Sequence, residues 1–425
     1  MAAGFRPQRL TVRHPAGLAA RLAFPLALSL LTLAACVPQS ARPPTAVPRP
    51  ALSLTAVPFS ALPGWAQDNP AEALPAFLAG CRELADAASA QSLGGEGQAA
   101  ALGGQPAEWQ PACSAGAQVP PGNDAAARWF FEAYFQPYEV ANASAPLTRR
   151  NEAFFTGYFD PEVAGSRTQR GAYQYPLLGR PPDLVQVALG DFATDLKGRS
   201  VAGRAQDGRL VPYYDRAQIE FGVLARRRLE LVWLDDQVDV FMLQIQGSGR
   251  VDLPDGRVMR VTYAGQNGRP YVPIGRVLAD RGEIPLDQVS LASIRAWLEQ
   301  HKDQAAEVMN QNPSYVFFRE VTTLRPDEGP PGALGVPLAP GRSIAVDRTF
   351  IPLGAPVFLA TTDPLTGAPL QRLMLAQDLG GAIKGPARAD IFFGWGKQAE
   401  ERAGRMRAQG QEYLLLPRPP AKPQL

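Results

Sequence analysis

Residues 377–396 read QDLGGAIKGPARADIFFGWG and place two carboxylates, Asp378 and Asp390, on either side of a glycine-rich turn. Asp390 also begins an aromatic, strand-like run. We expect Gly380, Gly381 and Gly385 to adopt positive φ angles, which would let a ligand approach the backbone closely. A carboxyl group beside aromatic side chains is shielded from water, and this raises its pKa and allows it to act as a general acid. Taken alone, however, an Asp-x-Gly-Gly motif more often marks a solvated turn.

Composition excludes several kinds of site. The 425 residues include two histidines, His14 and His301. A Ser-His-Asp triad, a Cys-His pair or a His-rich zinc site would have to use His301, because His14 lies in the leader described next. His301 belongs to a charged helical pattern typical of a solvated surface. We therefore expect chemistry by carboxylates, hydroxyls or backbone, with no metal and no cofactor. The formal charge of +2 and the lack of a Lys/Arg run argue against nucleic acid as a partner.

The first 35 residues are typical of an export signal. A basic start precedes an apolar run, residues 22–35, that is too short to span a bilayer. The run ends in Leu-Ala-Ala before Cys36, which resembles the bacterial lipobox and implies lipidation of Cys36. The alternative is a plain secretory signal. Val37 follows the cysteine, so we expect a lipid-anchored protein of the outer membrane that faces the periplasm.

The next segments predict a tether and a helical region. Residues 36–63 are rich in proline and alanine and predict an extended tether outside the fold. Residues 64–140 carry helical patterns. Cys81 and Cys113 form an even pair in an exported chain, which predicts a disulfide. Two buried thiols are the alternative.

The remaining chain is strand-rich, then helical, then strand-rich again, without the alternation of a doubly wound sheet, and this favours barrels. Residues 238–245 are apolar on both alternating faces and predict a strand buried on both sides. The pairs Asp255-Gly256 and Asn267-Gly268 are hairpin signals.

A set of motifs in this region, taken in order, resembles the membrane-bound lytic murein transglycosylase A family, which ends in a three-aspartate domain. The motifs are residues 156–159 (TGYF), 244–249 (QIQGSG), 267–271 (NGRPY), 274–276 (IGR), 312–318 (NPSYVFF), 345–348 (AVDR), 351–354 (IPLG) and 378–385 (DLGGAIKG) with Asp390. The three aspartates are Asp347, Asp378 and Asp390. The spacing from Gly385 to Asp390 is one residue longer than in one form of the family pattern, so we expect the loop 386–389 to lie differently.

The resemblance implies a mainly β protein with flanking helices and a helical N-terminal extension. Residues 141–165 and 308–420 would form a double-psi β-barrel, and residues 166–307 a smaller inserted β-barrel-like domain. The groove between them would bind a peptidoglycan glycan strand. The family cleaves the bond between N-acetylmuramic acid and N-acetylglucosamine without water and leaves a 1,6-anhydro sugar. No partner subunit is implied, and we expect a monomer.

Asp390 corresponds to the family's single catalytic acid, with Asp378 and Asp347 in supporting roles or merely holding turns. The candidates for substrate binding, for each of which a structural role in a turn is the alternative, are Thr156, Gly157, Tyr158, Gln246, Gly247, Ser248, Asn267, Gly381 and Lys384. A non-catalytic glycan-binding lipoprotein is the main alternative function. An aspartic protease would need a second Asp-x-Gly motif from a homodimer.

Overall fold

A computed structural model describes residues 50–85, 98–193, 196 and 200–418. The predicted signal and Cys36 lie outside these ranges. No helix within them is both long and apolar enough to cross a membrane.

The described elements are mostly short strands. In chain order the strands are β1 (Leu52–Ala56), β2 (Phe135–Asn142), β3 (Ala153–Asp160), β4 (Glu162–Ser166), β5 (Tyr175–Leu178), β6 (Val185–Ala188), β7 (Ser200–Gln206), β8 (Arg209–Pro212), β9 (Glu230–Leu234), β10 (Ser248–Asp252), β11 (Val258–Gln266), β12 (Val316–Val321), β13 (Ser343–Val346), β14 (Pro356–Thr362), β15 (Pro369–Leu379), β16 (Arg388–Trp395) and β17 (Arg407–Pro417). The helices are α1 (Leu74–Ala85), α2 (Gln98–Leu102), α3 (Pro106–Gly116), α4 (Asp124–Tyr134), α5 (Arg216–Glu220), α6 (Gln237–Gln246), α7 (Ile274–Asp280), α8 (Leu291–Gln300), α9 (Lys302–Asn310) and α10 (Lys397–Arg405).

Six strands close into a barrel in the order β17-β14-β15-β13-β16-β3, and β3 pairs back onto β17 to complete the ring. Strand pairs β13–β15 and β16–β3 are parallel, whereas the other pairs are antiparallel. Phe155, Ile344, Val357, Leu373 and Ile391 are fully buried in the interior. This ring is the double-psi β-barrel that the sequence predicted.

A second sheet of six strands, in the order β12-β11-β10-β4-β9-β5, forms the insert. A bridge between Gly179, just after β5, and Phe318 of β12 joins its two outer strands, so this sheet also closes on itself. The three-stranded sheet β6-β7-β8 and helices α6 to α9 surround it. The prediction of an inserted, barrel-like β-domain is therefore confirmed.

The predicted domain boundaries need correction. The insert uses β4, which begins at Glu162, and β12, which ends at Val321, so the predicted limits 166 and 307 were too narrow. The predicted barrel segment from residue 141 also omits most of β2, which begins at Phe135 and pairs with β17.

The tether prediction is wrong for residues 52–63. Strand β1 pairs with β2 from Leu52 opposite Asn142 to Ala56 opposite Tyr138, so it extends the barrel sheet. Phe59 and Leu62 are buried in the same core. A proline-rich composition suggested an extended chain, and the chain is extended here, but its backbone groups are paired within a sheet.

The helical N-terminal region packs on the barrel. Phe77 and Phe131 share the barrel core, and the buried Arg342 guanidinium pairs with Asp68 at 3.0 Å and with Glu72 at 2.8 Å. The predicted disulfide between Cys81 and Cys113 is present and joins α1 to α3. Helices α2 and α3 add to the helical character that the sequence predicted for this region.

Residues 238–245 form helix α6, and the predicted strand is wrong. Asp236 caps the helix by accepting a hydrogen bond from the Val238 N–H at 2.8 Å, and Gly247 ends it at φ 82°. The helix lies between two cores, with Val240 and Leu243 in the insert barrel and Phe241 among the helices. A helix buried on opposite sides loses its polar face, which made its pattern resemble that of a buried strand.

A buried ion cluster connects the two domains. Asp160, at the end of β3, accepts hydrogen bonds from Ser248 Oγ at 2.7 Å, from Arg250 Nε at 3.2 Å and from Arg260 Nη2 at 3.4 Å. Arg250 also lies 3.9 Å above the ring of Trp395, at the end of β16. Burial raises the pKa of Asp160, against the lowering effect of these partners. The insert and the barrel are thus held by charges that water does not screen.

The disulfide generates a stability prediction. Replacing Cys81 and Cys113 together by alanine should lower the free energy of unfolding by about 3 kcal/mol, because it releases a cross-link between residues 32 positions apart. Urea unfolding followed by tryptophan fluorescence measures this. Wild-type protein kept in reductant should match the variant, and an unchanged midpoint in both would contradict the prediction.

Candidate active site

Asp390 projects from strand β16 on the face of the barrel wall that is turned away from the interior. Its neighbours Ala389 and Ile391 are fully buried in the barrel interior, so strand alternation points Asp390 to the opposite face. On the adjacent strand Thr156 lies directly opposite Asp390 in the parallel β3–β16 pairing. The Asp390 side chain is half-buried. It can therefore be reached by a ligand while most of its surroundings are protein.

Thr156 and Arg388 hold one oxygen of Asp390. The Thr156 hydroxyl donates to Asp390 Oδ1 at 2.6 Å and accepts a hydrogen bond from Arg388 Nη2 at 2.8 Å. Because a hydroxyl has one proton, the guanidinium forces that proton towards the carboxylate. Among the described residues nothing hydrogen-bonds the other oxygen, Oδ2, which is left for a reacting group.

Burial raises the pKa of Asp390 to about 6, mainly by desolvation and also through the negative charge of Asp378. The Thr156 hydrogen bond and the Arg388 charge act in the opposite direction and limit the rise. Along the same face Phe392 packs on Tyr158, with ring centroids 5.3 Å apart, and provides the expected aromatic surroundings. Phe393 does not contribute, because it lies on the other face beside α10.

Asp378 is held beside this centre. It accepts hydrogen bonds from Tyr158 Oη at 2.8 Å and from the Ala333 N–H at 3.0 Å. Burial raises its pKa, and burial together with Asp378 raises the pKa of Tyr158 well above its ordinary value. Tyr158 is itself buried, so little of its ring is accessible for the substrate binding that the sequence predicted. Its observed contact is with Asp378.

Asp347 supports the glycine turn. It accepts hydrogen bonds from the Gly385 N–H at 2.8 Å and from the Thr349 N–H at 3.0 Å, so each of its two carboxylate oxygens binds a backbone N–H group. Gly385 has φ 94°, as expected, but Gly380 and Gly381 do not have positive φ, and that part of the prediction is wrong. Gly380 is instead needed for space, because a Cβ there would lie 2.4 Å from Ile383.

The loop 386–389, in which the spacing departs from the family pattern, has its own irregularity. Ala387 has φ 54°, a conformation that costs a non-glycine residue free energy. Its carbonyl accepts a hydrogen bond from the Phe154 N–H at 3.0 Å, which ties the loop to the start of β3. The strained residue lies three positions before Asp390.

Gly157 serves packing. A Cβ at this position would lie 2.6 Å from the Phe393 ring and 2.9 Å from the Ala403 Cα. The predicted role in substrate binding is therefore limited to its backbone.

The Gln246–Gly247–Ser248 segment connects domains. Gln246 Oε1 accepts a hydrogen bond from the Phe159 N–H at 3.1 Å, and Gly247 ends helix α6. Ser248 is buried and donates to Asp160. Ser248 was predicted to contact sugar, but its hydroxyl is already used in the ion cluster.

Asn267 is fully buried, so its predicted role in sugar binding is wrong. Its amide group donates to the carbonyls of Tyr214 at 2.9 Å and Pro313 at 2.8 Å. Its oxygen accepts from the N–H groups of Arg269 at 3.2 Å and Tyr315 at 3.0 Å. Every polar atom of the side chain is thus used within the insert.

Gly381 and Lys384 lie exposed on the turn before Asp390, where a ligand could reach them.

His301 was expected on a solvated helix face. It is instead half-buried and stacks on Trp297, with ring centroids 4.4 Å apart. Within the described ranges no group of His, Cys, Asp and Glu side chains is arranged to bind a metal.

A cavity of about 660 Å³ lies on the insert beside Arg180 and Tyr263 and includes none of the predicted site residues.

Sequence reasoning missed Arg388, Asp160 and Glu412. Arg388 could have been found, since residues two apart in a strand share a face and Arg388 precedes Asp390 by two. Glu412 is fully buried in the apolar run of β17, and no local pattern marks it.

Two family models match the chain. The MltA specific insert domain matches residues 154–319, and the 3D domain matches residues 342–416. Membrane-bound lytic murein transglycosylase A of Escherichia coli K12 is 35% identical over 276 residues, which span 63% of this chain and 66% of that protein, just under two thirds.

Solved structures extend the match to nearly whole chains. A membrane-bound lytic murein transglycosylase from Agrobacterium tumefaciens is 36% identical with a TM-score of 0.74, covering 86% of this chain and 98% of its own. Escherichia coli MltA with bound chitohexaose is 27% identical with a TM-score of 0.59, covering 88% and 96%.

The structural role of Asn267 can be tested. Asn267→Ala should lower the free energy of unfolding by about 2–4 kcal/mol, because it leaves two carbonyl groups and two N–H groups without their hydrogen-bond partner. The exposed Asn151→Ala serves as control and should change stability little. A stable Asn267→Ala protein with weakened glycan retention would instead restore the sugar-binding role.

Proposed function

Because the chain belongs to the membrane-bound lytic murein transglycosylase A family, we propose that it is a lytic transglycosylase of peptidoglycan. It cleaves the β-1,4 bond between N-acetylmuramic acid and N-acetylglucosamine without water. The observation that carries this proposal is Asp390, a half-buried carboxyl on the face of the barrel wall turned away from the interior, whose pKa is raised to about 6.

In the first step Asp390 acts as a general acid. Its protonated Oδ2 gives the proton to the glycosidic oxygen as the bond from C1 of the muramic acid breaks. The raised pKa keeps a useful fraction of the group protonated close to neutral pH. Thr156 holds Oδ1 at 2.6 Å, which leaves Oδ2 for the substrate.

In the second step the same group acts as a base. The Asp390 carboxylate takes the proton of the C6 hydroxyl as that oxygen attacks C1, which closes the 1,6-anhydro ring and restores the acid. Ordinary glycosidases use two carboxyl groups because they activate water or form a covalent intermediate. The internal hydroxyl makes one carboxyl sufficient here.

Supporting residues follow from their contacts. We assign Asp378 the role of raising the Asp390 pKa by its negative charge, with Tyr158 and the Ala333 N–H keeping it in place. Asp347 shapes the turn that carries Gly381 and Lys384 through its bond to Gly385. We assign Gly381, Lys384 and Gln246 to the groove surface, and Asp347 and Ser248 to its framework.

The substrate class is supported by the solved relative that carries chitohexaose, an oligosaccharide. The curated relatives are named as membrane-bound. We extend this to an anchor at the outer membrane through lipid on Cys36, which places the barrel in the periplasm, where peptidoglycan lies. The support is the lipobox-like end of the export signal.

Asp390→Asn should abolish turnover, reducing it by at least about 1,000-fold, because the amide can neither donate an acidic proton nor act as a base. Digestion of purified peptidoglycan followed by mass spectrometry of the soluble fragments measures this. The wild-type products should be lighter than hydrolysis products by one water. Asp207→Asn, an isosteric change on the exposed turn between β7 and β8, is the matched control and should stay active.

Two results would contradict the proposal. Reducing-end products would indicate a hydrolase. Binding of glycan without cleavage by the wild-type protein would indicate a non-catalytic binder. Retained glycan binding by Asp390→Asn, measured by sedimentation with insoluble peptidoglycan, shows that the variant is folded.

The pH dependence follows from the Asp390 pKa. The reaction begins with the protonated form, which is populated below about pH 6 and lost as the pH rises through that value. We therefore expect kcat/KM to fall about tenfold per pH unit well above this pKa. Initial rates on soluble glycan strands between pH 5 and 8.5 test this, and a rate that rises with pH throughout would exclude Asp390 as the acid.

A further inference from the structure

The cavity on the insert lies where the second sheet closes. In the described part of the chain, β12 pairs with β11 on one side and meets β5 on the other only at the bridge between Gly179 and Phe318. The cavity includes this bridge, and its volume of about 660 Å³ is within the range of about 300–1,000 Å³ that is typical of sites for small ligands. The proposed mechanism uses none of its polar lining residues, which are Arg180, Arg228, Glu230, Tyr263, Arg319 and Glu320.

Several charged side chains of the lining are free to bind a ligand. Within the described ranges Arg228, Arg319 and Glu230 form no ion pair and no side-chain hydrogen bond. Glu320, in contrast, accepts a hydrogen bond at 3.0 Å from Arg167, which does not line the cavity. The cavity therefore offers two unpaired guanidinium groups and one unpaired carboxylate.

Arg180 contributes a third guanidinium, which is held in place by its surroundings. Its Nη2 donates to the Leu184 carbonyl at 3.0 Å. Its stem packs on β11, where a Cβ on Gly265 would lie 3.2 Å from the Arg180 Cδ. A guanidinium carries five N–H donors, so most of its hydrogen-bonding capacity is still available. On the same strand Tyr263 adds an aromatic ring that is 45% exposed.

The backbone of Arg228 gives a second indication of a binding role. Its φ is 53°, a conformation that costs a non-glycine residue free energy. The next residue, Leu229, is fixed because its carbonyl accepts a hydrogen bond from the Gly179 N–H at 2.7 Å. Glycine or asparagine would adopt this conformation more easily. Among the described residues no contact of the Arg228 side chain offsets the cost, which supports a function for that side chain outside the fold.

The charges of the cavity define the chemistry of a ligand. Arginine binds carboxylates through paired N–H···O bonds, so three guanidinium groups favour a ligand with several carboxylates. The free carboxylate of Glu230 suits an amine on the same ligand and would repel a phosphate group. The short peptide stems that peptidoglycan carries on muramic acid have this composition, because they contain free carboxyl groups and one diamino acid.

Strand β11 also connects the cavity to the catalytic strands. The Tyr263 N–H donates to the Gly247 carbonyl at 2.8 Å, and the preceding Gln246 accepts a hydrogen bond from the Phe159 N–H at 3.1 Å. Phe159 belongs to β3, which pairs with the strand that carries the acid. A peptide of four or five residues spans about 13–18 Å when extended. The stems of a glycan strand bound at the acid can therefore extend along the insert towards the cavity.

We propose that this cavity is a subsite for the peptide stem of the substrate, in which Arg180, Arg228 and Arg319 bind its carboxylates and Glu230 binds its amine. This inference rests on the proposed function, since it adds recognition of the peptide to cleavage of the glycan. The insert then makes the enzyme prefer strands that carry stems.

The test compares soluble glycan strands with and without their stems, which an amidase removes. In the double variant Arg228→Gln with Arg319→Gln, KM for stem-bearing strands should rise about tenfold while kcat stays unchanged, because only binding is affected. On stripped strands the variant should match the wild type. Arg209→Gln with Arg226→Gln removes two exposed arginines that do not line the cavity, and this control should match the wild type on both substrates. An unchanged KM on stem-bearing strands, or an equal loss on both substrates, would overturn the inference.

A second measurement does not depend on turnover. The free stem peptide released by the amidase should bind the wild type in isothermal titration calorimetry and should not bind the double variant. Equal binding by both proteins would overturn the inference. Binding of a polyglutamate peptide without binding of the stem peptide would also overturn it, because the cavity would then fit an acidic segment of another protein. Absence of turnover by the wild type on both substrates would instead refute the proposed function.

Discussion

The arrangement of barrel and insert depends on a buried cluster in which Asp160 receives hydrogen bonds from Arg250 and Arg260. Desolvating three charges is expensive, and the cluster is stable only while all members are present. Removing one partner of such a buried pair typically costs about 3–5 kcal/mol. Because Asp160 ends β3 of the barrel and both arginines belong to the insert, this cost fixes the position of one domain against the other. The cluster therefore attaches the insert at the end of β3, the strand that also carries Thr156 beside Asp390.

The pKa of Asp390 is set by two opposing groups of interactions. Desolvation beside Phe392 and the charge of Asp378 favour its protonated form, while Thr156 and Arg388 favour the carboxylate. Neither set dominates, and the pKa lies between the ordinary value of an aspartate and neutrality. A carboxyl that has to act first as an acid and then as a base needs both forms to be accessible. The polar atoms around it are arranged to supply that balance.

Much of the fold could be predicted from local patterns, and the failures have physical causes. Strand alternation and turn residues indicated the barrels, and an even cysteine count indicated the Cys81–Cys113 disulfide. Helix α6 was mistaken for a strand because it is buried on opposite sides. At the site, Asp390 was placed by its motif, whereas Asn267 was misassigned because a polar residue in a turn looks the same whether its amide contacts backbone or ligand. Glu412 could not be found, since its burial depends on strands distant in sequence.

Strand β3 carries Thr156, Tyr158 and Asp160 at alternate positions, all on one face. One contacts the acid, the next contacts its neighbour Asp378, and the last binds the insert. At roughly 3.3 Å per residue, about 13 Å of continuous strand separates the first from the last. Adding or removing one residue between them would turn Asp160 away from its arginines while leaving Thr156 in place. The length of this strand between Thr156 and Asp160 is consequently fixed by the contacts at both of its ends.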